Sequence, residues 1–519
     1  MVSLRLASKE LGRLNDLIIE TVRVGRETRP EFVDVGGLLN QITLKQNHVV
    51  FGRRGSGKTT LLLSGYHRAL DRGDIAVHFD SEDVKGNPYP DILIAVIARL
   101  LRCLKPAVEE QLSGIHGLLR FGRRRQGGAL IDEVQSTLQE LDKLGETPLR
   151  YEVTEERTRE EGVTTETEAR VGVSTIADIG AQVSVSRSGR DMKSLREQRS
   201  FQREKALTVD HNLPRYKDLL RRITDFLPET IIFLILDDFY FLSKDTQPDV
   251  IDYLHRLVKG LPIYLKLGAI KYWCKLYRRS QGKIVGVELN QDIFPIELDR
   301  TLEDRTVLND FFHRILSAFA AKAGIEEADF SELFTDGGTN LLLLASGGVP
   351  RDFLIIFVRS QQIAIDRGDT KIDKRAVAEA ARRYANSTKR PNLVEDARSE
   401  SGYLDNVLEM IIDFALGQKH STVFLVNQTE AHSFPQAYDA LNALQNLRFV
   451  HLVDPDTSAS GGRPGRFEGY MLDAGLWAAP RPWHLVEVEF DKRDERSRKD
   501  QLRGCPILPL QDITSAITS

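Results

Sequence analysis

Gly52-Arg53-Arg54-Gly55-Ser56-Gly57-Lys58-Thr59 decides the fold. It fills every position of the pattern G-x-x-x-x-G-K-[ST]. His48-Val49-Val50-Phe51 leads into it as a short strand, and Leu61-Leu62-Leu63 follows with a helical pattern. Strand, glycine loop and helix in that order are what phosphate binding needs. The glycines let backbone N–H groups turn toward phosphate oxygens, and the helix N-terminus behind them adds a favourable dipole. Lys58 supplies a point charge for the β and γ phosphates, and the Thr59 hydroxyl is a ligand for Mg2+. Gly52, Gly55, Ser56, Gly57, Lys58, Thr59 and Thr60 are therefore the expected phosphate-binding residues.

Outward from the loop, Ile75-Ala76-Val77-His78-Phe79-Asp80 reads as a second strand and Asp91 to Leu104 as a helix. After a long interruption, Ile231-Ile232-Phe233-Leu234-Ile235-Leu236 runs apolar into Asp237 and Asp238. A continuous apolar run of this length predicts a parallel strand buried on both faces. A carboxylate at its end can hold Mg2+, and its neighbour can orient or deprotonate an attacking water. Asp237 is the expected metal ligand beside Thr59, and Asp238 the expected helper of water attack. A helix over about 247–259 and a strand over 263–270 continue the pattern, and helical spacing dominates 301–386.

The chain has 519 residues, 41% apolar and 28% charged. That length suggests about three domains and a core large enough to need no disulfide or metal staple. The 71 Lys and Arg nearly balance 75 Asp and Glu, for a net charge of −4. A generally basic nucleic-acid coat is excluded; a local basic patch is not. Cys103, Cys274 and Cys505 are far apart and lack metal-ligand spacing, which fits buried thiols in a reducing compartment. The 11 histidines, among them His78, His211, His313 and His420, form no zinc motif and read as structural. No apolar run reaches the ~20 residues of a membrane helix, and no signal-peptide core is seen. The expectation is a cytoplasmic protein with no membrane partner.

The order of phosphate loop, Asp-Asp strand and a helical section holding Gly348-Val349-Pro350-Arg351 resembles AAA+ and STAND ATPases. It is most similar to the origin-recognition-complex type (ORC-type) of AAA+ protein. The resemblance covers about 30–110 and 229–480. It implies an α/β fold: a P-loop parallel-sheet ATPase core, a helical lid and a C-terminal winged-helix-like domain. It implies ATP and Mg2+ as ligands and Arg351 as the sensor 2 arginine on the lid helix. An arginine from a neighbouring copy, Arg278 or Arg279, would complete the site, which implies nucleotide-dependent homo-oligomers. Sensor 1 falls on the strand ending at Lys271, where the family's Asn or Thr is absent. Asp238 is shorter than the Glu common in fast AAA+ machines, which favours a slow switch over a motor.

The expected segments are 1–104 (N-terminal segment and first part of the core), 105–228 (an insertion), 229–300 (the rest of the core), 301–390 (lid) and 400–519 (winged-helix-like domain and tail). Asn386 to Asn392 reads as a linker, and Val171 to Ser186 as a β-hairpin in the insertion. The arginines at 120–125 read as a solvated basic face or a patch for phosphate or an acidic partner. In the C-terminal section, Pro435 to Leu447 carries no Lys or Arg, while Arg463 and Arg466 sit in the expected wing and Arg448 just before it. Two outputs follow for an ATP-hydrolysing switch. One acts on DNA, as initiators and transposition regulators do. The other is a signalling or anti-phage defence NTPase that assembles on a trigger and recruits an effector protein.

Overall fold

The computed structural model describes residues 5–22, 32–34, 36–114, 121–168, 202–280, 282–302, 305–325, 330–393, 402–461, 463–478 and 495–518. Its centre is a sheet of β1 (His48–Phe51), β2 (Ile75–Asp80), β3 (Ile232–Asp237), β4 (Ile263–Ala269) and β7 (Phe294–Glu297). A short antiparallel hairpin, β5 (Tyr277–Ser280) and β6 (Lys283–Gly286), stands apart from it. The sheet order is β2-β3-β4-β1-β7, parallel throughout. All residues of β1 and β3 are buried, as strands covered on both faces by helices must be. Register sets Asp80 opposite Asp237 and Phe51 opposite Ala269, so the carboxyl ends of four strands open on one crevice. Ligands of open α/β sheets bind at such an edge.

The helix Lys58–Asp71 starts directly from the glycine loop and buries Leu61 and Leu62 against the sheet. In the long interruption, the helix Phe121–Glu168 packs Leu130, Val134, Leu138 and Leu141 against the helices Tyr89–Ser113 and Leu213–Phe226. Arg222 grips Glu133 with two bonds of 2.7 and 2.6 Å, and Arg215 grips Glu140 at 2.7 and 3.1 Å. The start of this region is thus part of the core's own packing. The hairpin expected at 171–186 lies outside the described residues.

Four helices, Arg305–Lys322, Asp336–Ser346, Pro350–Arg367 and Lys374–Tyr384, form the lid. Thr335 and Asp373 cap two of them by accepting from Gly338 N and Ala376 N. The N-terminal helix Lys9–Val22 packs Leu11, Leu14 and Ile18 onto this lid.

The linker expected at 386–392 is not a loop. Ala385–Lys389 continues the preceding helix in π geometry, and Lys389 is 1% exposed. Its polar letters suggested solvent; buried partners for the lysine account for the difference. Beyond it come the helix Leu404–Ile412, β8 (Val423–Asn427), the helix Pro435–Asn446, β9 (Val450–Thr457) and β10 (Phe467–Leu472). The three strands form an antiparallel sheet in the order β8-β10-β9. This sheet and its helices lie in the section where a winged-helix-like domain was expected. The last helix, Leu510–Thr518, packs on both Leu404–Ile412 and Pro435–Asn446. Lid and C-terminal section share one apolar core, with Tyr384, Phe357 and Trp477 in the same cluster.

Between these two parts lies a buried ionic network. Lys389 Nζ is 3.1 Å from Asp352 and 2.6 Å from Asp473. Arg448 pairs with Asp352, Tyr384 donates to Asp352 at 2.9 Å, and His451 Nε2 meets Asp473 at 3.0 Å. Burial alone would raise Asp473, but Lys389 and His451 outweigh it and hold the carboxyl at about 2. Arg448 is therefore not at hand for a nucleic acid, as its position before the wing suggested. Arg466 pairs with Asp456, and Arg463 is exposed.

Candidate functional site

A cavity of ≈ 750 Å³ opens at the crevice between sheet and lid. It is of a size for one small molecule. Arg54, Gly55, Ser56, Gly57, Lys58, Thr59 and Thr60 line one wall; Asp237 and Asp238 line another; Pro350 and Arg351 close it from the lid. The phosphate-loop residues other than Gly52, both aspartates and Arg351 thus meet in one place, while Gly52, Lys271, Arg278 and Arg279 lie outside it.

The loop's geometry follows from close packing. Gly55 has φ +86°, and a Cβ there would lie 2.9 Å from the Cβ of Arg351. The Arg351 N–H donates to the Gly55 carbonyl at 3.3 Å. Loop and lid helix touch backbone to backbone, which only glycine permits. Gly52 lies behind the cavity, and a Cβ on it would strike Ser56 Oγ at 2.2 Å, so its role is the turn. Lys58 is buried, and its ammonium donates to the carbonyls of Gly52 at 3.0 Å and Arg53 at 3.3 Å. Burial lowers its proton affinity, against the pull of Asp238 and Asp237.

Asp237 ends β3, where its Oδ1 accepts from the Asp238 N–H at 2.8 Å. Gly268 on β4 makes its room: a Cβ there would lie 2.5 Å from that oxygen. Asp238 sits in the left-handed region at φ 48°, a conformation that aspartate tolerates better than most residues. Burial, and then the Asp237 charge, push its carboxyl up to about 6, with Lys58 opposing. A carboxylate poised in that range suits proton transfer near neutrality.

The arginines separate. Arg278 is committed within its own chain, bound to both oxygens of Asp249 at 2.6 and 2.7 Å. Arg279, next on β5, is exposed and lies outside the cavity. Lys271 is also outside, paired with Glu297 at 3.2 Å on the surface.

Several site residues were missed in the sequence. Phe311, Ile315 and Phe319 add an apolar lining with Val22, Phe32, Val33 and Leu354, and Phe32 lies beside Gly57 of the loop. The i, i+4, i+8 spacing of the first three on one helix was a readable signal. His78, read as structural, lines the cavity with its Nε2 3.8 Å from Asp237 Oδ2. Arg53 is 3% exposed and clamps three elements: it bonds Asp299 through its backbone N–H at 2.8 Å, and the carbonyls of Arg300 and Gly347 at 2.9 Å each. Nothing in the motif marks its second position for that task.

No protein-family model matches the chain, and no curated protein sequence matches it. Solved structures do align along most of its length. Cdc6p from Pyrobaculum aerophilum aligns at 13% identity and a TM-score of 0.32, over 96% of this chain and 97% of that one. The Aeropyrum pernix ORC1 protein, in complex with DNA, aligns at 14% identity and 0.31, over 92% of each chain. Drosophila ORC bound to DNA aligns at 12% and 0.34, over 92% and 93%. The loop, paired acids and lid arginine of this chain stand in the order that the sequence already showed.

Proposed function

We propose that this chain binds ATP with Mg2+ and hydrolyses it slowly, as a conformational switch between core and lid. The convergence of Lys58, Thr59, Asp237, Asp238 and Arg351 on one cavity carries this reading. Phosphates would lie along the glycine loop, and the base at the apolar end among Phe32, Phe311 and Phe319. Thr59 and Asp237 offer hard oxygen donors on facing walls, which fits Mg2+ held with few protein ligands and the nucleotide's own oxygens. A bound Mg2+ would supply charge neutralisation at the β and γ phosphates. Lys58 adds a fixed charge, Asp238 accepts the proton of the attacking water, and Arg351 ties the γ-phosphate to the lid. Arg279 of a second copy is the proposed trans arginine, which makes assembly nucleotide-dependent.

Replacing Gly268 with alanine tests the metal assignment. The new methyl group must displace Asp237, so Mg2+-dependent hydrolysis is expected to fall by roughly tenfold or more while nucleotide binding persists. Equal rates at saturating Mg2+ would remove Asp237 from the metal site.

Two outputs remain proposals: action on DNA, and assembly with an effector protein in signalling or anti-phage defence. The helix Pro435–Asn446 lacks cations, packs against Leu510–Thr518, and stands beside an Arg448 that is buried. These observations favour the protein partner, because groove binding needs cations free to meet phosphate. Mass photometry with no nucleotide, ADP, or ATP plus Mg2+, each with and without duplex DNA, tests both. Assembly with ATP alone supports the effector reading, and assembly that needs DNA supports the other. A monomer in every condition removes the oligomer.

A further inference from the structure

Among the described residues, three fixed cations line the cavity: Lys58, Arg351 and Arg54. The reading above gives the first two their tasks and leaves Arg54 without one. Its neighbour Arg53 does structural work, 3% exposed and bound to Asp299, Arg300 and Gly347. Arg54 is partly buried and lines the cavity instead.

Two aromatic rings hold it there. Its guanidinium lies 5.1 Å from the centre of the Trp273 ring and 5.7 Å from that of Tyr240. The rings meet edge to face with centres 6.1 Å apart. Each follows the end of a sheet strand. Tyr240 stands in the 3-10 turn Phe239–Phe241 after β3, anchored by the buried Phe239 and closed by Phe241 N on the Asp238 carbonyl at 3.0 Å. Trp273 follows β4; its N–H donates to the Ile270 carbonyl at 3.0 Å, and its carbonyl accepts from Gln247 at 3.4 Å. So the cage belongs to the carboxyl edge of the sheet, and the arginine to the glycine loop.

The place of the cage decides which end of a nucleotide Arg54 serves. Lys58 Nζ lies 5.6 Å from the centre of the same Tyr240 ring. Two loop cations gathered on one ring, two residues past Asp238, mark the phosphate end. The apolar lining of Phe311, Ile315 and Phe319 belongs to the lid helix Arg305–Lys322. Lys271 pairs with Glu297 and Arg278 with Asp249, so neither brings its charge to the cavity. Aromatic faces attract a guanidinium through its charge and consume none of its five N–H donors, which suit phosphate oxygens in pairs. A cation placed in advance needs little reorganisation when negative charge builds on those oxygens.

Resting on the ATPase reading above, we propose that Arg54 is a further catalytic residue: caged by Tyr240 and Trp273, it bonds the terminal phosphoryl oxygens of ATP in its own chain and stabilises the charge that develops on them. Water adds to the γ-phosphorus, the bond to the ADP oxygen breaks, and Arg54 gives up no proton.

The test uses the full chain with Mg2+ and compares Arg54→Gln, Arg54→Lys and Trp273→Leu. Displacement of a fluorescent ADP reads affinity for ADP and for a non-hydrolysable ATP analogue, and phosphate release reads turnover. An arginine on the terminal phosphate acts on ATP and not on ADP. Arg54→Gln is expected to weaken the ATP analogue roughly tenfold, to leave ADP within about twofold, and to lower kcat about 10²-fold. Arg54→Lys keeps the charge without the planar fork and should recover part of kcat. Trp273→Leu lies outside the cavity lining, yet is expected to give the Arg54→Gln pattern at roughly threefold to tenfold, because it opens the cage. Equal losses of ADP and analogue affinity in Arg54→Gln would make the arginine a prop for the loop, and an unchanged ATP preference with unchanged kcat would leave it without a task; either result overturns the proposal. A wild-type chain that binds neither ADP nor the analogue removes the nucleotide site, and Arg54 with it. Turnover that Lys58→Ala abolishes and Arg54→Gln leaves intact removes Arg54 alone.

Discussion

Lys389→Met lowers the stability of the chain by about 3–5 kcal/mol, as removing one partner of a buried ion pair does. The wild-type network balances two carboxylates, Asp352 and Asp473, against two cations, Lys389 and Arg448, with every side chain 5% exposed or less. Lys389 is the one cation within reach of both acids, so its loss leaves Asp473 with His451 and the Gly475 N–H but no paired lysine. Urea unfolding followed by tryptophan fluorescence reads the change, since Trp477 lies in the same core. The double variant Lys389→Met with Asp473→Asn should recover part of the loss, because it no longer buries an unpaired charge. A single-variant loss under about 1 kcal/mol would place the network in solvent, where ion pairs contribute that little. The pH dependence has a definite sign. Asp473 is depressed to about 2 in the folded chain, so its contribution is complete above about 4 and drains away as pH falls toward 2. His451 is held below its ordinary value, chiefly by burial, so it adds a loss that begins as pH drops through about 6.5.

On the proposed ATPase reading, Lys58→Ala is expected to lower ATP turnover by about 10²–10³-fold, the scale of removing one preorganised charge from a phosphoryl-transfer site. It also changes what remains. Lys58 is the cation that holds Asp238 down against burial and Asp237. Without it the carboxyl rises further, so the residual rate should show its acidic limb at higher pH than wild type. Stopped assays over pH 5–9 read both effects. A loss under tenfold would mean that phosphates do not lie against the loop.

The core was legible because its signals are local. The glycine loop, the apolar run of β3 and the helical spacing around Arg351 each depend on a few neighbouring residues, and each was found where expected. What escaped was set by residues far apart in sequence. Arg53 earns its burial from Asp299 and Gly347, some 250 to 300 positions away, and the motif treats it as an arbitrary letter. Asn386 to Asn392 has a linker's composition, yet Lys389 finds Asp473 across the interface. Arg448 looked like a cation for a groove because its buried acid, Asp352, lies nearly a hundred residues upstream. Phe32, packed with the core, and Phe311, packed with the lid, line one cavity only in the folded chain. Of the two adjacent arginines, the structure leaves Arg279 exposed by giving Arg278 to Asp249.

The placement of Lys389 has a bearing on how such a chain can be cut and recombined. A splice at the hydrophilic stretch near 390 looks natural on paper. It would separate a lysine from one of its two acids and open an apolar core that the lid and the C-terminal section hold in common. Neither piece would carry a finished surface. The C-terminal section is therefore not an exchangeable module; a graft that respects the molecule must take the lid along with it.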